Sequence, residues 1–188
     1  ENVWQRLEAD GTQLRWRVEH AQHIDPEDVP RFGELGIIAS IQAVHGTSDG
    51  PWIPSRLGDA RSKATSQPWR DLFNTGAIMT NGTDVPVERI DPIASYYSSV
   101  TRKMNNGDTF YPEHKMTREE AIQTYTINNA YAAFEENLKG TLSPGKYADF
   151  IILSNNLLTI DEDLIPSTLV DMTYVGGELK YQRERENN

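Results

Sequence analysis

The sequence predicts an α/β fold, a parallel sheet packed by helices, followed by a smaller β-rich unit. Three observations carry that prediction. Residues 14–42 run strand, helix, strand with short connections, which is a βαβ unit and implies parallel strands. A further helix and a short apolar run, Ala77-Ile78-Met79-Thr80, continue the alternation. After Gly140 the chain turns to strands with no long helix between them.

Taken in order, residues 1–10 read as a short helix ended by Gly11. Leu14-Arg15-Trp16-Arg17-Val18-Glu19-His20 alternates apolar and polar side chains with the period of a strand. Asp25 is placed to cap a helix with Pro26 in its first turn, and Gly36 ends it. Residues 37–42, Ile-Ile-Ala-Ser-Ile-Gln, have the length and composition of a buried strand. Gly46, Gly50, Pro51, Pro54 and Gly58 make residues 43–63 a long loop, and loops of that length are often functional. Residues 68–74 predict a helix closed by Gly76, and residues 81–84 a turn after the next strand. Residues 93–103 read as helix, and Thr117-Arg118-Glu119-Glu120 as a capping box before an amphipathic run to about residue 134. Residues 148–153 form a strand, and residues 170–175 and 178–182 form a hairpin across Gly176-Gly177. The charged end beyond Gln182 is expected to fray.

Composition narrows the function classes. A length of 188 residues allows one domain or little more. A net charge of −10 argues against a nucleic-acid footprint or attraction to anionic membrane surfaces. The absence of cysteine excludes disulfides, thiolate metal ligands and a Cys nucleophile. No segment approaches the roughly 18–20 apolar residues of a membrane span. The start at Glu1, without Met or signal peptide, suggests a chain cut from something longer, with the cytoplasm as default location.

The histidines carry the chemistry. His20 ends the first strand, His45 lies just past the second, and Asp84 follows the third. In an α/β barrel the carboxyl ends of the strands are the catalytic face. Two imidazoles and a carboxylate suit Zn²⁺ or a similar divalent ion. Such an ion lowers the pKa of a bound water, and a nearby carboxylate can move the proton. A lone strand-end His is more often structural, and the case rests on three matching positions. His23, although it makes an H-x-x-H pair with His20, reads as a loop residue, and His114 as solvated.

Together these segments resemble the amidohydrolase superfamily, in the branch that includes N-substituted formamide deformylase. The matching stretches are residues 17–22, Arg-Val-Glu-His-Ala-Gln; residues 39–45, Ala-Ser-Ile-Gln-Ala-Val-His; residues 81–87, Asn-Gly-Thr-Asp-Val-Pro-Val; and residues 139–150, Lys-Gly-Thr-Leu-Ser-Pro-Gly-Lys-Tyr-Ala-Asp-Phe. The resemblance implies a distorted (β/α)8 TIM-type barrel with a small β-sandwich built from both ends of the chain. It implies metal-binding histidines on the fifth and sixth barrel strands, here His20 and His45, and Asp84 after the eighth as ligand and proton shuttle. It implies hydrolysis of a carbon–nitrogen bond in a non-peptide amide or formamide-like small molecule by metal-bound hydroxide, with one or two ions, zinc above all. Trp52, Arg56 and Arg61 fall in a loop that borders the substrate in such proteins.

The family pattern also needs a His-x-His pair on the first strand, and this sequence has none. A full barrel takes roughly 250 residues. The expectation is therefore the C-terminal half of a barrel, strands five to eight, over residues 1–139, with a short seventh strand near residues 61–68. Residues 140–182 then form part of the composite sandwich, and residues 183–188 a disordered tail. Unpaired sheet edges predict a homo-oligomer or pairing with the missing N-terminal half. Two other readings stand beside the hydrolase: a non-catalytic fragment or oligomerising module, and an ester or lactone hydrolase on the same barrel.

Overall fold

The computed structural model describes residues 11–184. The expected N-terminal helix, residues 1–10, lies outside them, and the described chain opens on the short helix α1, Gly11–Leu14. Three short parallel strands follow: β1, Arg17–Glu19; β2, Ile38–Ile41; and β3, Met79–Asn81. They lie side by side in the order β1-β2-β3. Val18 stands opposite Ala39 and Ala39 opposite Met79, while Glu19, Ser40 and Thr80 form the next row.

Side chains alternate between sheet faces. Ala39, Ile41 and Met79 join Phe32, Trp69, Leu72 and Tyr96 in the buried core beneath the helices. On the other face, Glu19 accepts hydrogen bonds from Ser40 Oγ at 2.6 Å and Arg17 Nε at 3.0 Å. β2, buried on both faces, fits the apolar run expected of an inner parallel strand. β1 is exposed along its length and forms an edge.

Several elements differ from expectation for local reasons. α2 spans Val29–Glu34, with Asp28 at its N-cap position. Asp25 instead closes a turn, its carbonyl accepting from Asp28 N at 2.8 Å and its Oδ1 from Glu27 N at 3.0 Å. Gly33 lets α2 touch the backbone at Thr75, since a Cβ there would stand 2.1 Å from the Thr75 carbonyl oxygen. The expected loop at 43–63 is three short helices: α3, His45–Ser48; α4, Ile53–Leu57; and α5, Asp59–Thr65. The Gly and Pro residues punctuate helical turns rather than abolish them. No separate strand forms at 61–68 among the described residues. α5 occupies most of that stretch, Ser66 makes an isolated antiparallel bridge to His23, and β2 pairs directly with β3.

α6, Trp69–Asn74, and α7, Pro92–Thr101, cover the sheet. Asp91 caps α7 by accepting from Ala94 N at 3.0 Å. The capping box forms as read: Thr117 Oγ1 accepts from Glu120 N at 3.2 Å, and Glu120 Oε2 from Thr117 N at 2.7 Å. The amphipathic run behind it divides into α8, Arg118–Tyr125, and α9, Ile127–Ala132.

The remaining strands, β4, Phe150–Leu153, β5, Val170–Val175, and β6, Glu178–Gln182, make an antiparallel sheet in that order. It is tied to the rest mainly by the connection between β4 and β5. Ile165 is wholly buried there, and the Leu157 carbonyl accepts from Tyr96 Oη at 3.0 Å and Arg118 Nη1 at 2.6 Å. Arg183 is held to Asp171 by hydrogen bonds of 2.8 and 2.5 Å, and residues 185–188 lie outside those described. No helix among the described residues is long and apolar enough to cross a membrane.

Candidate metal centre

The carboxyl ends of β1, β2 and β3 bring three side chains together. His20 directly follows β1, His45 opens α3 just beyond β2, and Asp84 lies three residues past β3, where it opens a turn over residues 85–87 rather than closing the turn expected at 81–84. One ligand-capable atom from each lies within 4.8 Å of the others. Asp84 Oδ2 is 3.3 Å from His45 Nε2 and 3.9 Å from His20 Nδ1. The two imidazoles stack with centroids 5.7 Å apart and 19° between their planes.

The cluster is graded in exposure. The side chains of His45, Asp84 and His20 are 9%, 26% and 47% exposed. His45 Nε2 is buried and has no hydrogen-bond partner among the described residues. A buried ring nitrogen left without a partner costs desolvation energy that a bound cation would offset. His20, Ala21 and Asp84 also hold left-handed backbone angles, φ 66°, 41° and 58°. Such strain in side chains other than glycine concentrates at functional sites. The donor set and the orphaned nitrogen both fit a divalent metal ion.

A row of small polar side chains on α7 positions the loops. Ser98 Oγ donates to the Ala43 carbonyl at 2.6 Å, just before His45. At the end of β3, Asn81 Oδ1 accepts from Ala43 N at 3.1 Å, and its Nδ2 donates to Ser99 Oγ at 3.1 Å. Ser95 Oγ donates to the Gly82 carbonyl at 3.3 Å. The loops leading to His45 and Asp84 are thus fastened to one helix and to each other. Sequence reasoning missed Asn81, Ser95, Ser98 and Ser99. The available signal was serine at i, i+3 and i+4 of one helix, which places all three on a single face.

Of the other named residues, Trp52 precedes α4 and is half-exposed, with the Arg56 guanidinium 5.7 Å from its ring centroid. Arg56 and Arg61 are exposed and stand outside the three-residue cluster. His23 is a loop residue whose Nδ1 is 3.1 Å from Ser66 Oγ. Partial burial, with Arg61 nearby, lowers its pKa. His114 corrects the sequence reading. It is buried rather than solvated, because neighbouring Phe110 and Met116 pull its segment inward. Burial, with Arg102 adding to it, lowers the His114 pKa, and its Nδ1 lies 4.0 Å from Asp71 Oδ2.

Fold and site together define an α/β protein with a His/His/carboxylate cluster at the ends of a parallel sheet. Residues 1–181 match the Amidohydrolase family, and the chain belongs to it. It is 38% identical over 169 residues to Protein LONG AFTER FAR-RED 3 of Arabidopsis thaliana, covering 89% of this chain and 29% of that protein. It is 25% identical over 167 residues to N-substituted formamide deformylase of Arthrobacter pascens, covering 89% of this chain and 31% of that enzyme. The structure of an uncharacterized metal-dependent hydrolase from Pyrococcus horikoshii OT3 superposes with a TM-score of 0.72 at 25% identity, over 86% of this chain and 32% of that one. The chain spans about a third of the length of the curated relatives it matches.

Proposed function

We propose that this chain carries part of the active site of a metal-dependent hydrolase that cleaves carbon–nitrogen bonds in non-peptide amides or formamide-like molecules. The buried Nε2 of His45, without a hydrogen-bond partner and 3.3 Å from Asp84 Oδ2, is the observation that carries this reading. His20, His45 and Asp84 would hold a divalent ion, zinc by donor preference. When bound, the ion supplies Lewis acidity and lowers the pKa of a water. Asp84, 26% exposed beside His45, is accessible to exchange protons with a bound substrate. It takes a proton as water adds to the carbonyl carbon and delivers it to the departing nitrogen, so that a carboxylic acid and an amine leave. Trp52, Arg56 and Arg61 border the substrate.

In this reading the parallel strands are part of a larger barrel over residues 1–139, and residues 140–182 are part of a β-sandwich. Support comes from the family match, the exposed edge at β1 and the named deformylase among the relatives. The experiment is hydrolysis of an N-substituted formamide panel with added Zn²⁺. Asp84→Asn should reduce the rate at least a hundredfold, the scale of a lost general acid–base. Equal rates for wild type and Asp84→Asn would sink the mechanism.

A second reading has its own support. No His-x-His occurs in the sequence, and β1 is an open edge. The 188-residue chain by itself would then be non-catalytic, self-associating or pairing with the other half of the fold. It predicts no turnover of any amide with Zn²⁺ and a concentration-dependent mass in sedimentation.

A further inference from the structure

We propose that Arg102 is a positioning residue for the candidate metal centre, acting through Gln67 on the backbone that carries His45. The inference rests on the metal-site reading, but its first test needs no metal.

Arg102 ends α7 in the left-handed region, φ 59°, and is 1% exposed. Its guanidinium lies 4.1 Å from the Trp69 ring centroid and 5.3 Å from that of Phe110. Nε donates to the Phe110 carbonyl at 2.7 Å, and Nη1 donates to Gln67 Oε1 at 3.1 Å. Nη2 has no partner among the described residues. Burial lowers its pKa to about 9, so it remains a cation at neutral pH. If packing alone mattered here, an apolar side chain would serve at less desolvation cost. What the guanidinium adds is a rigid fork of donors in fixed directions.

That fork fixes the Gln67 amide, because a donor at Nη1 selects the oxygen, not the nitrogen, of the side chain. The same oxygen lies against Gly46: a Cβ on Gly46 would stand 2.6 Å from Gln67 Oε1. Gly46 directly follows His45. Gln67 also donates its backbone N–H to the Gln22 carbonyl at 2.7 Å, in the loop that begins at His20. Gln22 Nε2 donates to Asp49 Oδ2 at 3.0 Å, and Asp49 N donates to the His45 carbonyl at 2.9 Å. Gln67 is therefore a joint between the two histidine-bearing loops, and Arg102 sets its rotamer. Residues that orient metal ligands from behind typically change metal affinity 10–100-fold when removed.

The test uses the 188-residue chain with Arg102→Met, Arg102→Lys, Gln67→Ala and, as a stability control, Arg70→Met. Arg70 makes an ion pair with Glu120, bidentate at 2.7 Å, that joins α6 to α8. Imidazole ¹H–¹⁵N NMR of the metal-free protein reads the ring of His45, and Co²⁺ titration by absorbance reads affinity. Arg102→Met and Gln67→Ala should move the His45 ring signals and weaken Co²⁺ binding by about tenfold or more. Arg102→Lys should restore the charge but not the ring signals, and Arg70→Met should lower the Tm while leaving them in place. Unmoved His45 signals in Gln67→Ala, or an equal movement in Arg70→Met, would overturn the proposal. If Arg102→Met does not fold, Gln67→Ala decides. If the wild type binds no Co²⁺, the metal reading fails and the ring signals alone decide the positioning role.

Discussion

The two sheets of this chain are built on opposite principles. β2 and β3 are buried, covered by helices and followed by the candidate metal ligands. β6 is exposed along its length, and β5 is half-buried at most. The core cluster draws nearly all its residues from before residue 140, and the later part adds Leu157 and Ile165. Both of those lie in the connection between β4 and β5, not in a strand. Burial free energy is thus concentrated where the site is, and the antiparallel sheet is fastened mainly by that connection, with partly buried Leu153 of β4 packing against the same cluster.

The largest expected effect breaks the comparison directly. Leu72, fully buried on α6, should cost about 2–5 kcal/mol as Leu72→Ala, whereas Leu179→Ala on β6, 47% exposed, should stay within about 0.5 kcal/mol. Urea unfolding measures both, and similar costs would show that the second sheet is covered in solution. Ile165→Ala should cost nearly as much as Leu72→Ala, but locally. Hydrogen exchange should rise in β4, β5 and β6 while β2 and β3 stay protected. Uniform loss of protection would make the two sheets one cooperative unit.

The smallest effect is a pH slope. The folded pKa of His114 lies below its ordinary value, first because of burial. The unfolded chain therefore takes up this proton first. Its contribution to stability is complete above about pH 6.5 and declines as pH falls toward the lowered folded value. His114→Leu should flatten the stability profile below about pH 6.5, and an unchanged profile would assign the acid sensitivity to other groups.

Legibility in the sequence followed the range of the determining interaction. The Gly176-Gly177 hairpin and the Thr117 capping box were readable because turn chemistry and alternation are local. The alternation of strand and helix, and the placement of His20, His45 and Asp84 at strand ends, were readable for the same reason. The burial of His114 was not, since it depends on segments that Phe110 and Met116 pull inward. The helix after Asp25 starts later than its Asp-Pro signal indicates, because Asp25 uses its carboxylate in a turn. Asn81, Ser98 and Gln67 do their work across the fold, and no local pattern distinguishes them from ordinary polar residues.

The most direct test of the metal-centre claim is divalent-metal content per chain after size exclusion, in wild type and His45→Ala, with Zn²⁺, Fe²⁺ and Mn²⁺ offered in turn. The account predicts near-stoichiometric metal in the wild type that is lost in His45→Ala. Equal content in both proteins, or none in either, would contradict it.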